Sequence, residues 1–111
     1  MQHDDRVYLR HMLEMSRKAR ELASSRSRVD FDQDEVFRLA LRHLIQIVGE
    51  AASQVSAEFR STHAEIPWGE IIGMRHRVVH DYLGIDEEIV WSTVVQDLPQ
   101  LIQILERQLP D

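Results

Sequence analysis

The chain has 111 residues, enough for one compact domain with a modest core and too few for two. It has no cysteine, which excludes a disulfide framework, a Cys-zinc site and thiol catalysis. A formal charge of -6 argues against a protein that coats nucleic acid non-specifically, because that binding rests on a basic surface, yet it leaves room for a small, locally basic site. No apolar run approaches the length of a membrane span, and Met1-Gln2-His3-Asp4-Asp5 lacks the basic-then-apolar order of a signal peptide, so the expected location is the cytoplasm. The cations are nearly all Arg, with Lys18 the only Lys.

Tyr8, Met12, Met15, Ala19 and Leu22 recur at helical spacing, with Leu9 and Leu13 widening the stripe, and predict a first helix over residues 4–24. Asp4 and Asp5 suit its positive end. The polar segment 25–28 reads as a connection. A long helix then follows from Asp32, capped by Asp32 or Asp34, with Phe37, Leu41, Leu44, Val48, Ala51 and Val55 as its buried stripe. Val36, Ala40 and Ile47 extend that stripe to a second side, so more than one neighbour has to cover it. Residues 60–65 read as a polar break, and Pro67 just before Trp68 suits a helix start, where its missing N–H leaves nothing unpaired. This third helix should stop at Gly84, and Asp86 should cap a fourth whose stripe is Trp91, Val94, Leu98, Leu101, Leu105 and Leu109. Pro99 interrupts the fourth helix as a kink or as a division in two, with Asp97 capping the second half. No strand-like alternation occurs, so the expected fold is all-α, an antiparallel bundle of four to five helices spanning residues 1–111 as one domain.

Within the third helix, Gly73-Met74-Arg75-His76-Arg77-Val78-Val79-His80-Asp81-Tyr82 concentrates the chemistry. On an ideal helix, at about 100° per residue, Ile71, Ile72, Met74, Val78, Val79 and Leu83 form one broad apolar arc with Arg75 and Tyr82 near its middle. A guanidinium there is expensive to bury without a partner. His80 lies about 140° round from Arg75. Either the helix distorts, or Arg75 reaches into a cleft that another helix or another chain completes.

Arg-x-x-x-x-His alone carries little information, because Arg6 to His11 and Arg38 to His43 repeat the spacing. Only the Arg75 copy continues as His-x-Tyr, and this chain's own residue frequencies give roughly a one per cent chance of the full pattern. With Val48-Gly49-Glu50-Ala51, Ile66-Pro67-Trp68, Ile72-Gly73-Met74-Arg75, Gly84-Ile85-Asp86, Val90-Trp91 and Asp97-Leu98-Pro99, the chain from residue 30 onward resembles the HepT-like toxins of the HEPN-domain superfamily, whose motif is Arg-x-x-x-x-His-x-Tyr. His76 departs from the pattern, standing where many relatives have Asn.

The resemblance implies a HEPN-like bundle acting as a homodimer: an endoribonuclease toxin of a type II toxin-antitoxin module that needs no metal or other cofactor. Its substrate would be RNA, tRNA included, cut at a cleft between protomers by attack of a 2′-hydroxyl on the adjacent phosphate. Arg75 and His80 would be the catalytic pair: an imidazole carries a proton either way near neutral pH, and a guanidinium grips phosphate at two points and stabilises its growing charge. Tyr82 would accept AMP from a partner nucleotidyltransferase antitoxin, which silences the toxin. His76, Glu50 and Arg77 are candidates for supporting roles.

On spacing alone, plainer readings stand beside each of these. Arg75 can be paired with a carboxylate, His80 can face solvent, and Tyr82 can be a packed aromatic with a bonded hydroxyl. Glu50 lies at the edge of the long helix's stripe with His43 on the same side, as on any solvated face, and Arg77 can meet phosphate or water. His76 and His80 have the i, i+4 spacing of a shared metal, with Glu70 and Asp81 near in sequence but no third ligand at matching spacing. The rival function is a helical binding module without catalytic activity that holds a nucleotidyltransferase or another partner protein.

Overall fold

The computed structural model describes residues 4–80 and 87–109, with the helical backbone but not the side chains of 75–80. The described chain is all-α: α1 (Asp5–Ala23), α2 (Arg28–Gln33), α3 (Glu35–Gln54), α4 (Ala57–Thr62), α5 (Trp68–His80), α6 (Glu87–Ser92), a π-helical turn (Thr93–Asp97) and α7 (Leu98–Gln108). The long α3 is central, packed on α1 on one side and α5 on another, while α7 returns to close on α1.

α1 begins where the carboxylate of Asp4 accepts the Arg6 N–H and runs as predicted, burying Leu9, Met12, Leu13, Met15 and Ala19. Leu22 was expected in that stripe but is 44 % exposed; Ala23 turns inward in its place. The expected connection at 25–28 is shorter, because Ser27 and Asp30 form a reciprocal capping box that starts α2 at Arg28. Phe31 anchors this short helix, fully buried between the rings of Phe37 and Trp91. Of the two caps proposed for the long helix, Asp34 serves, accepting the Phe37 N–H, whereas Asp32 lies inside α2. The Phe37 N–H, and after it Arg26, holds the Asp34 carboxyl below the usual carboxylate range.

In α3 the buried stripe runs through Phe37, Leu41, Ile45, Val48, Ala51 and Ala52, so Ile45 takes the fully buried place expected of Leu44, which is half-buried. The predicted second apolar side exists, but its end is bare: Val36 is 76 % and Leu39 49 % exposed. The expected polar break at 60–65 is partly helical, since Ser56 caps α4 through the Phe59 N–H and ties it to α1 by donating to Asp5.

The break near Pro99 takes a form that the sequence left open. The Leu98 N–H reaches back five residues to the Thr93 carbonyl, a π-type bond. In that register the donor for the Val94 carbonyl would come from position 99, and Pro99 has no N–H. Arg20 of α1 donates to that carbonyl instead, at 3.2 Å. Asp97 is not the expected cap: it is itself in helical conformation and its side chain makes no cap bond. The expected stop at Gly84 and cap at Asp86 lie outside the described residues.

Candidate functional site

The start of α5 is tightly built. Ile66 and Trp68 are buried, the Trp68 Nε1–H donates to the His63 carbonyl at 3.0 Å, and Phe59 meets the indole edge-on. Ile71, Ile72 and Met74 pack, half-buried, against the core, and the Thr93 hydroxyl lies 3.8 Å from the Met74 sulfur. From Met74 the backbone continues α-helical to His80, so Arg75, His76, Arg77 and His80 all stand on one rigid element, as expected. Arg75 and His80 are separated by about 7.5 Å along the helix axis. The side chains of these four, and all of Tyr82, lie outside the described residues. Glu50 is exposed on α3, where its carbonyl accepts from the Ser53 hydroxyl. His43, also exposed on α3, sits in a shallow hollow with Lys18, Leu22 and Leu44.

Two ion pairs that sequence reasoning did not find tie the start of α6 to the bundle. Glu87 pairs with Arg42 of α3, and Glu88 with Arg28 of α2. Arg28 also holds Asp32, and the two carboxylates keep its guanidinium protonated beyond the usual arginine range. The first turn of α6 is therefore fixed to α2 and α3 seven residues after His80. The only signal for this in the sequence was a Glu-Glu pair at a helix start, which dipole chemistry explains equally well.

Alongside α5 runs a groove of about 270 Å³ whose floor is Ile45 and Val48 of α3, Ile71 and Met74 of α5, and Leu98 and Leu101 of α7. Glu65, Glu70 and Asp97 stand at its rim. Partial withdrawal from water, and then the charge of Glu70, push the Asp97 carboxyl above its usual range. The described lining of the groove beside α5 is thus apolar and acidic. Among the described residues no three His, Asp or Glu side chains converge as a metal site would need.

The model of the family "Ribonuclease HepT-like" matches residues 12–108, a span that contains every one of these positions. A candidate RNase of Caldanaerobacter subterraneus subsp. tengcongensis is 36 % identical over 96 residues, covering 86 % of this chain and 86 % of that protein. A probable ribonuclease HepT of Thermococcus cleftensis is 38 % identical over 72 residues, 65 % of this chain and 66 % of that one. A candidate RNase of Methanocaldococcus jannaschii is 28 % identical over 103 residues, 93 % and 94 % of the two chains. No solved structure matches. With an all-α fold, a matching family model over most of its length and relatives named as ribonucleases, the chain belongs to the HepT-like ribonuclease family of the HEPN superfamily.

Proposed function

We propose that this chain is a cytoplasmic, metal-independent endoribonuclease, the toxin of a toxin-antitoxin module, acting as a homodimer of single HEPN-like domains. The observation that carries this reading is the coincidence of Arg75-x-x-x-x-His80-x-Tyr82 with a ribonuclease family match that spans it, on a helix whose backbone holds Arg75 and His80 in fixed register. A 2′-hydroxyl attacks the adjacent phosphorus, forming the bond that closes a 2′,3′-cyclic phosphate, while the bond to the 5′-oxygen breaks and that oxygen leaves with a proton. His80 moves protons in this exchange, and Arg75 holds the phosphoryl oxygens as their charge grows. His76, Arg77 and Glu50 are assigned supporting roles in orienting the RNA or the imidazole.

Dimerisation through α5 and part of α3 completes the cleft and covers the apolar side chains that one chain leaves bare, Val36 and Leu39 among them. Tyr82 is the switch: AMP transferred to its hydroxyl by a nucleotidyltransferase antitoxin places a phosphate beside Arg75 and a nucleoside in the path of RNA. The rival reading, an inactive helical module that holds a partner, draws on the net charge of -6 and the acid-rimmed groove beside α5.

Purified chain should cleave RNA in the presence of chelator. Arg75→Ala and His80→Ala should each abolish cleavage with the helical circular dichroism intact. Persistent cleavage by His80→Ala removes the catalytic assignment, and no cleavage by unmodified wild type favours the binding module. Intact-mass spectra after co-expression with the antitoxin should show AMP on wild type and none on Tyr82→Phe; the same mass gain on both ends the switch assignment.

A further inference from the structure

Among the described residues, α5 packs chiefly on α3, with Ile71, Ile72 and Met74 half-buried against the core. Apolar contact has no direction and an unbranched Met adapts to its surroundings, so this packing sets the depth of α5 better than its rotation. Another flank of α5 meets the arm formed by α6, the π turn and α7. Four residues line the grooves on both sides of that seam: Glu70 and Met74 of α5, and Thr93 and Asp97 of the π turn. Two of them repel, since burial and then the charge of Glu70 push the Asp97 carboxyl up. The other two attract, the Thr93 hydroxyl donating to the Met74 sulfur at 3.8 Å. Thr93 is 7 % exposed, and with Ser16 it makes up the buried polar residues among those described. A thioether is a weak acceptor, so valine, with the same branching, would serve stability as well or better. What the hydroxyl adds is direction.

We propose that Thr93 is a positioning residue for RNA cleavage: through the Met74 sulfur it fixes the rotation at which α5 carries Arg75 and His80. Thr93 is itself held, because its carbonyl takes the Leu98 N–H across the π turn and the next carbonyl, that of Val94, takes Arg20 of α1. Met74 is joined to Arg75 by one peptide bond, in a helix whose backbone runs unbroken to His80. The hold therefore runs from α1 through the π turn to the motif. A rotation of about 10° carries a group at the side-chain radius of about 6 Å through roughly 1 Å, a displacement that costs up to about a hundredfold in rate. The inference rests on the ribonuclease reading of the motif and adds to it a residue outside the motif, one that acts through α5 and not on the reacting atoms.

The test is steady-state cleavage of a defined RNA in chelator by the full chain, with melting temperature and sedimentation measured on the same preparations. Thr93→Val should melt at or above the wild-type temperature and sediment as wild type does, yet lose about tenfold or more in kcat with KM within about twofold. Thr93→Ser, which keeps the hydroxyl, should recover most of that loss. Met74→Leu, which removes the sulfur, should behave as Thr93→Val does, and the two together should be no slower than the slower single variant, since both remove one contact. A kcat for Thr93→Val within about twofold of wild type overturns the proposal. So do a loss that Thr93→Ser shares in full, losses that multiply in the double variant, and a loss that follows a fall in melting temperature or dissociation of the assembly. Wild type that does not cleave ends the ribonuclease reading and this inference with it. Wild type that cleaves, with Thr93→Val its equal, ends this inference alone.

Discussion

Removing the Arg20 guanidinium should destabilise the bundle, and the presence of proline at 99 should set by how much. Arg20 donates to the Val94 carbonyl at 3.2 Å, and Val94 is fully buried in the turn between α6 and α7. No main-chain donor can replace it, because the Leu98 N–H is bonded to Thr93 and Pro99 has none. Arg20→Ala thus leaves a buried carbonyl unsatisfied, at about 1–3 kcal/mol, or some 4–8 °C of melting temperature per kcal/mol in a domain near this size. In a Pro99→Ala background the chain regains an N–H that reaches Val94 in the π register, or the turn closes in the α register from Leu98. Either gives the carbonyl a main-chain donor, so the cost of Arg20→Ala should fall by about 1 kcal/mol or more. Urea unfolding of the four proteins, followed by circular dichroism, measures the coupling directly. Equal costs in both backgrounds, within about 0.5 kcal/mol, would refute the account of the π turn.

Three other outcomes follow from polar groups that are wholly or partly withdrawn from water. Asp97 has a raised folded-state pKa, so its stabilising contribution is complete below the unfolded carboxylate pKa and is lost as pH rises through the folded value. Asp97→Asn should therefore be more stable than wild type at pH 7 in denaturant titrations, with an advantage that vanishes as pH falls below about 4; an advantage that persists there contradicts the cause given. Arg42→Ala should cost on the order of 1–3 kcal/mol, less than a fully buried pair because Glu87 keeps 31 % of its side-chain surface exposed, whereas Arg42→Met with Glu87→Leu should restore most of it. Ser16 is fully buried and its hydroxyl has no hydrogen-bond partner among the described residues, so Ser16→Ala should change thermal stability by less than about 1 kcal/mol or increase it; a larger loss would mean that the hydroxyl has a partner.

Most of the long elements were legible in the sequence because each one's apolar residues repeat at helical spacing and its start is marked by a carboxylate or a proline. The two short helices were not. α2 is too short to show periodicity, and its evidence was Ser27-x-x-Asp30 before a lone Phe31, a capping box inside what looked like a polar connection. α4 was hidden in the same way, with Ser56 as its cap and Phe59 as its single large apolar contact. Asp97 looked like a cap because Pro99 follows it, but a helix continues through a π turn when another element supplies the missing hydrogen bond, and nothing local marks Arg20 as that donor. The motif helix was readable to its residue types and its backbone. What lies beside it was not: the groove joins α3, α5 and α7, and the Arg42–Glu87 pair spans 45 residues, so both depend on tertiary contacts that no local pattern carries.

The central claim is that Arg75 and His80 carry metal-free cleavage of RNA through attack by its own 2′-hydroxyl. End-group analysis of a defined RNA incubated in chelator with wild type, Arg75→Ala and His80→Ala tests it most directly. Wild type should leave 2′,3′-cyclic phosphate and 5′-hydroxyl ends, and the two variants should leave the RNA intact. Products bearing 3′-hydroxyl and 5′-phosphate ends, or cleavage restored only by a divalent metal, would contradict it.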